Sequence, residues 1–476
     1  MAEPGAARAL PRIDMIGNTE RALQDAGLQR ALGRMPALLT RRNEAAAELP
    51  EWEHLRRLAA AIKDHALAHL DTYLEQLEAQ VVARGGVVHW ASDADEARRI
   101  VTDLARARGV RRVVKSKSMT TEEIHLNAAL EAGGAKVVET DLGEFVVQLS
   151  GDRPSHLIAP IIHKTTESVA ELFVEKLGIP RLERAEDLTR AARHALRAEF
   201  LAADMGITGV NFAVAETGTV VLVENEGNAR LTTTRPRIHV AIMGIEKVIP
   251  RLADLGVFLR LLPRSATGQR ASVYVSLLTG PRRPGEADGP DELHLIIMDN
   301  GRTRLLADPE LRESLRCIRC GACLNVCPVY QRAGGHAYDA VYAGPIGAVI
   351  TPVLEGLGRA RELPFASSLC GACAEVCPVR IDIPRMLLDL RGRTVRAGLV
   401  GTVDRLFAHV WTFVMGSPGR LRAFAGVGRL LQRLVMRGGR IERLPYPFAG
   451  WTAHRTAQPL ASRPFRDRWA SRGSSR

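Results

Sequence analysis

The sequence predicts an α/β domain over residues 51–304 and a helical domain organised around cysteine over 305–395. A helical segment over 1–50 precedes them, and a basic helical extension over 396–476 comes after. Three observations predict that order. Strand-like and helix-like runs alternate after residue 86, all seven cysteines fall between 317 and 377, and the arginine excess lies at the C-terminal end. A chain of 476 residues is also too long for one ordinary core, so more than one domain is expected.

Residues 1–50 are rich in Ala and Arg with weak periodicity, which reads as helical turns packed on the α/β domain. From Glu51 to Ala83 apolar residues recur at helical spacing up to Gly85-Gly86, predicting one long helix. The pattern then alternates. VVHWAS (87–92), VRRVVKS (110–116) and KVVET (136–140) are strand-like, and DADEARRIVTDLARARG and TTEEIHLNAALEAGG between them are helical. Thr120 and Glu123 stand at capping-box spacing. Alternation of this kind implies a parallel sheet covered by helices. The segment 207–249 carries two more strand-like runs punctuated by Gly218 and Gly227, and ASVYVSLL (271–278) and LHLIIMD (293–299) complete the β signal. The domain ends near Arg304, and Asp308-Pro309 reads as an N-cap with proline at the first helical position.

Charge is unevenly placed. Residues 385–476 hold 18 Arg, no Lys and four acidic residues, a balance of +14 in a chain of net charge +12. The body is therefore close to neutral and need not meet a polyanion. No apolar leader is expected in MAEPGAARALPRIDMIGNTE, and the late apolar run Leu406 to Met415 is far short of the roughly 20 residues that span a bilayer. The expectation is a cytoplasmic protein, with a peripheral contact at the inner face of the membrane left open. Seven cysteines, an odd and crowded set, point to metal rather than to disulfides.

The spacing names the metal chemistry. Cys317-Ile-Arg-Cys320-Gly-Ala-Cys323-Leu-Asn-Val-Cys327-Pro328 follows the C-x2-C-x2-C-x3-C-P pattern, in which three thiolates wrap one cubane and the fourth ligates its neighbour. Ser367-Ser-Leu-Cys370-Gly-Ala-Cys373-Ala-Glu-Val-Cys377-Pro378 repeats it with serine at the first position. Crossing the ligands gives Cys317, Cys320, Cys323 and Cys377 to one iron–sulfur cluster. Cys327, Cys370 and Cys373 go to a second, which is one thiolate short. Two 4Fe–4S clusters are expected, with the open corner filled by solvent or by Ser367, or with a second cluster of the 3Fe–4S type. Structural zinc also favours four thiolates but fits seven cysteines in two such units poorly.

Several segments carry a family resemblance. KSKSMTTEEIHLNAAL (115–130), VVETDLGEFVVQL (137–149), PSHLIAPIIHK (154–164) and GVNFAVAETGTVVLVENEGNARLTTTRPRIHVAIMGIEK (209–247) resemble the iron–sulfur subunit of the bacterial L-lactate utilisation system. The cysteine module does too, as do LPYPFAGW (444–451) and RPFRDRW (463–469) in the tail. The resemblance implies a LUD-type α/β domain similar to the NagB/RpiA/CoA-transferase fold, followed by a ferredoxin-like two-cluster module. It implies a complex with a cysteine-rich subunit and a second LUD-domain subunit, oxidising the small anion L-lactate to pyruvate and permitting growth on lactate. The chain would be a component of that complex rather than a complete enzyme.

The residues themselves offer weaker candidates. Lys115 and Lys117 leave a strand end before a helix start, the usual ligand crevice of open α/β sheets, and Arg230 follows the turn ENEGN. All three could anchor an anion, and the bland reading for the lysines is a solvated strand end. His163 and Glu216 are acid–base candidates. Their bland readings are a hydrogen-bonded structural histidine and a hairpin turn. Glu139 and Asp141 flank a strand end, where Asp141 could cap a helix. No G-x-G-x-x-G follows a strand, so a bound dinucleotide finds no support. The arginine-rich tail suits docking to a partner or lying on an anionic membrane, and with no recognised motif it is not read as binding nucleic acid. An alternative to lactate oxidation is a scaffold or redox sensor whose α/β domain binds a ligand outside any oxidation pathway. A transferase with structural clusters is a third reading, and kinship of fold does not decide among them.

Overall fold

In a computed structural model, residues 11–445, 448–453 and 455–473 are described. Tyr446 and Pro447 of the LPYPFAGW motif, and the first ten residues of the N-terminal segment, lie outside them. The chain divides into two compact units, one ending at Ala397 and one beginning at Gly398.

The first unit is organised by a six-stranded parallel sheet in the order β1-β10-β7-β4-β2-β3. Its strands are β1 (Val87–Ala91), β2 (Arg112–Lys115), β3 (Lys136–Glu139), β4 (Met205–Gly209), β7 (Ile238–Gly244) and β10 (Glu292–Met298). Near-continuous apolar runs such as IHVAIMG, buried along the whole of β7, are what a sheet covered on both faces requires. The helices Ala94–Ala107 and Leu126–Ala132 cover one face, and Leu70–Ala83 covers the other. A second sheet of β5 (Phe212–Val214), β6 (Thr219–Glu224), β8 (Val248–Ile249) and β9 (Tyr274–Leu278) runs β8-β5-β6-β9. The turn between β5 and β6 is an antiparallel hairpin with Gly218 at φ +65°.

Four expectations are corrected. The run 51–83 is two helices, Trp52–Ala68 and Leu70–Ala83, broken at His69 (φ −128°, ψ 37°). The break turns the apolar stripe from one core to another: Trp52, Leu55 and Ile62 face the core shared with the cysteine region, while Leu74, Leu77 and Val81 face the sheet. Thr120 and Glu123 form no capping box, because Ser118 is the cap and accepts from Thr121 N, and His125 at φ +50° ends that short helix. Within 207–249 the segment Asn228–Thr234 is helical, and its threonines Thr232, Thr233 and Thr234 donate back to carbonyls three or four residues earlier. Asp308-Pro309 starts no α-helix. Asp308 ends the helix Arg302–Ala307, pairs with Arg393, and leads into a 3-10 turn at Arg312–Arg316.

The cysteine region shares its core with the rest of the unit. Ile13, Leu32 and Met35 from the N-terminal helices pack in one cluster with Leu315, Ile346, Ile350, Met386 and Leu390 and with Phe212 and Phe258 of the α/β part. Arg42 and Arg56, both buried, donate to the carbonyls of Val376 and Cys377. A short module of turns has too little apolar surface to enclose itself, and the flanking helices enclose it.

The second unit is built differently. Its helices Thr402–Met415 and Pro418–Val435 bury only Val414 between them. Leu406, Phe407, Trp411, Phe413, Leu430 and Leu434 are exposed.

At the carboxyl end of the main sheet Arg302 is 2% exposed and spans Glu246 on one side and Glu123 on the other, at 2.6 and 2.9 Å. Glu123 also accepts from Tyr342 Oη at 2.6 Å. Replacing Arg302 by methionine leaves two carboxylates buried and unpaired, so Arg302→Met is expected to cost about 3–5 kcal/mol. Chemical denaturation of the two proteins measures it, and a loss below about 1 kcal/mol would count against this account of the knot.

Candidate functional site

The two cysteine motifs fold into the same turn. Arg319 and Leu369 take positive φ, +60° and +56°, and Gly321 and Gly371 follow at +75° and +85° as caps of the short helices Ala322–Val326 and Ala372–Glu375. A Cβ on Gly321 would stand 3.2 Å from His156 Cε1, so glycine suits both the backbone and the space. In the first turn Arg319 N donates to Cys317 Sγ at 3.4 Å, and in the second Leu369 N donates to Ser367 Oγ at 3.1 Å. The serine oxygen therefore holds the place of the first cysteine's sulfur.

Cys317, Cys320, Cys323 and Cys377 line one cavity of about 20 Å³, walled by Leu157, Ile318, Ile346, Val379, Ile381 and Ile383. Burial pushes the Cys320 thiol up, and that of Cys377 to about 11, and each is raised further by other thiols of this four. Ile381 N donates to Cys377 Sγ. Among the other three, burial raises Cys327, with a further push from Cys370. Cys373 is raised to about 12 by burial and by Cys327 and Cys370. Cys370 is exposed, and its thiol is lowered by the N–H of Ala372 and by Ser368. Converging thiols with amide donors at their sulfurs and apolar walls fit iron–sulfur clusters, whose sulfur ligands take such donors.

Beside the four-cysteine cavity lies a second one of about 270 Å³. It opens where β2, β3, β4 and β7 end, the side of a parallel sheet where ligands collect. Leu157 lines both cavities. The charged side chains around the larger one are Lys117, Asp141, Glu224, Glu226, Lys247 and Arg319. Its carboxylates are served by donors: Glu224 accepts from Ala229 N and Arg230 N, Glu226 from Leu142 N, and Asp141 from Lys117 N and Asn228 Nδ2. Burial raises Glu224 and Glu226 above the usual carboxylate range. Lys247 is pressed down to about 8 by burial.

Residues 74–298 match the LUD domain family, and residues 313–381 match the 4Fe–4S dicluster domain. Lactate utilization protein B of Bacillus licheniformis is 45% identical over 90% of this chain and 90% of its own length. This chain belongs to the lactate utilization protein B family. The proteins of that name from Shouchella clausii (44% over 95% and 96%) and Bacillus subtilis (44% over 93% and 93%) are similarly alike. A solved DUF162 family protein from Deinococcus radiodurans aligns at a TM-score of 0.25 and 15% identity, over 48% of this chain and 98% of that one, too slight a likeness to inform the fold.

Family members of this kind therefore join a parallel α/β domain to a helical dicluster region, as the sequence predicts. Of the α/β candidates only Lys117 reaches the cavity, and its ammonium sits 2.8 Å from Glu144, whose carboxyl burial raises to about 7. Lys115 is fully buried between Glu122 and Glu139 at 2.9 and 2.8 Å, so it is neither a solvated strand end nor part of the cavity wall. Arg230 is exposed outside it. Glu216 accepts from Leu252 N at the start of the helix Leu252–Thr267. His163 bridges Ser155 Oγ at 2.7 Å and Asp152 Oδ2 at 3.0 Å, with its ring 4.5 Å from that of His336. Asp141 sits at the N-terminus of the helix Leu142–Ser150 without capping it, being turned towards Lys117 and Asn228. Lys247, Arg319, Asn228 and Tyr342 were not singled out in the sequence. A cation inside a C-x2-C turn was the one available signal, at Arg319. Among the described residues, no helix is long and apolar enough to cross a membrane.

The loop 154–160 is pinned to the cysteine region by His156. Its Nδ1 accepts from Ile158 N and Ala159 N, so Nε2 carries the proton and donates to Asn325 Oδ1 at 3.0 Å. Burial, with the charge of Lys117, lowers this imidazole to about 3. A histidine depressed in the folded state is neutral there, so its share of stability is complete above about 6.5 and is lost as pH falls towards the folded value. The stability difference between wild type and His156→Gln is expected to shift by about 1.4 kcal/mol per pH unit below about 6.5, against the wild type. Denaturation at pH 7.5 and pH 5 checks it. A difference independent of pH would mean that His156 is not held neutral.

Proposed function

We propose that the chain is the iron–sulfur electron-transfer subunit of a complex that oxidises L-lactate to pyruvate and so supports growth on lactate. The observation that carries this reading is the gathering of seven thiols into a four and a three, beside a cavity at the strand ends of the α/β part. The name shared by the relatives supplies the metabolic setting. Cys317, Cys320, Cys323 and Cys377 are assigned to one 4Fe–4S cluster, and Cys327, Cys370 and Cys373 to a second. Ser367 stands at the second cluster's fourth corner. When bound, such clusters supply one-electron storage and transfer. The chain's own part is to hold the sulfurs, to donate Arg319 N and Ile381 N to them, and to keep water from the four behind Ile346, Val379 and Ile381.

His163, Glu216, Lys115 and Arg230 lie outside the cavity wall, and Lys117 belongs to it as a charged group already paired with Glu144. The hydrogen of lactate is therefore assigned to the assembled complex rather than to these side chains alone. The partners in this reading are a cysteine-rich subunit and a second LUD-domain subunit, in the cytoplasm. The C-terminal unit, with its exposed Trp411, Phe413 and Leu434 among arginines, is the natural docking element for one of them.

The first test is anaerobic purification of the tagged chain from its native host with whatever accompanies it, followed by addition of L-lactate. Cluster absorbance is expected to bleach with L-lactate and to stay unchanged with D-lactate or buffer. Clusters that respond to dithionite and ignore L-lactate would remove the lactate assignment. The ligand assignment has its own test: Cys323→Ala and Cys373→Ala should each lose one cluster's iron and keep the other's. Loss of both from either variant, with the protein still folded, would refute the division into two sets.

A further inference from the structure

The cavity beside the four cysteines has an electrostatic imbalance at its inner end. Lys63, Lys247, Arg302 and Arg319 converge there, and the carboxylates among them are Glu123 and Glu246. Glu246 is taken chiefly by Arg302 at 2.6 Å and stands 3.6 Å from Arg319 Nη2. Lys63 is satisfied by the carbonyls of Glu246 and Val248. Two cations are left over, and both line the cavity. Lys247, 8% exposed, makes no side-chain hydrogen bond or ion pair among the described residues. Arg319, its guanidinium stacked 4.5 Å over Tyr342, has a buried Nη1 with no partner. Buried charge without a counter-charge is costly, so such a pair is kept where an anion will meet it.

The same wall shows what else the anion carries. Asn228 is 6% exposed and donates its Nδ2 to Asp141, while its Oδ1 is buried with no donor. An acceptor in that state suits a hydroxyl. The three carboxylates of the wall bar a second negative charge at the outer end. A volume of about 270 Å³ lies at the small end of ligand sites and excludes a nucleotide.

We propose that this cavity binds a small hydroxycarboxylate, its carboxylate held by Lys247 and Arg319 and its hydroxyl offered to Asn228 Oδ1. The class includes lactate, and in that respect the inference rests on the function proposed above. Both cations are also within electrostatic reach of Cys317, and Arg319 belongs to the turn between Cys317 and Cys320. They are thus shared between the cavity and the four-cysteine set. Negative charge added on the cysteine side weakens the hold of Lys247 and Arg319 on a carboxylate, and by linkage a bound carboxylate makes reduction harder. A site of this kind releases its acid as electrons arrive.

The experiment is anaerobic calorimetry on the full cluster-loaded chain, with L-lactate and its neutral counterpart lactamide as probes. Lactate is expected to bind at least about tenfold more tightly than lactamide, which is the order of a charged hydrogen bond. Lys247→Met is expected to weaken lactate by a similar factor, with iron content unchanged. Reduction by dithionite is expected to weaken lactate binding to the wild type several-fold without changing lactamide. Equal affinity for lactate and lactamide, or unchanged affinity in Lys247→Met, overturns the site. An affinity that ignores reduction overturns the sharing of the cations. Lys247 is remote in sequence from the cysteines, so this variant tests the anchor without touching a ligand turn. Lactate-dependent bleaching of the complex with no binding here would overturn this inference alone. Binding here without bleaching would overturn the proposed function and leave the site.

Discussion

Arg302 is the constraint on which the site depends. It comes from the helix that follows the last strand of the parallel sheet, and it is buried between Glu246 beyond β7 and Glu123 of the short helix beyond β2. Glu123 in turn receives Tyr342 from the cysteine region, and Tyr342 carries Arg319 on its ring. One guanidinium thus ties three segments of the sheet's carboxyl edge to the turn that holds Cys317 and Cys320. Its planar fork makes this possible, because it donates to two carboxylates at once and stays charged when buried. The surrounding charges depend on it: Glu246 is engaged, and Lys247 and Arg319 are left without a full partner.

The cysteine turns obey a different constraint. Each motif must reverse the chain within three residues, and both do so with the same pair of positive-φ positions. The second cysteine of each turn stands between them, and the fourth is released by a short helix. Crossing of Cys327 and Cys377 between the sets comes from that release, and it makes the two turns depend on each other. The N-terminal helices are then required, since Arg42 and Arg56 satisfy carbonyls of the second turn that would otherwise be buried without donors. Residues 13–56 and 374–390 are thus parts of one packed body although they are distant in the chain.

The second unit keeps its apolar surface outward. Helices with Phe, Trp and Leu exposed and arginine interspersed bury little against each other. An unpaired face of this size on a folded segment is the mark of a surface meant to be covered.

Much of this was legible in the sequence, because it depends on periodicity and spacing. Alternating strand and helix runs required a parallel sheet, the cysteine spacing required clusters rather than disulfides, and arginine placement marked the tail. Local signals failed where packing overrode them: His69 breaks a helix that periodicity would continue, and Ser118 caps where Thr120 had the better motif. Lys115 and Lys117 show the limit most clearly. Two residues apart on one strand exit, they read alike, yet one is sealed inside the fold between Glu122 and Glu139 while the other borders the cavity. By itself the sequence determined which chemistries were present: thiols in two turns, a parallel sheet and a basic tail. Only the tertiary structure decided which cations remain unpaired, because pairing is settled by residues such as Arg302, Glu246 and Arg319 that are far apart in the chain and meet only when it folds.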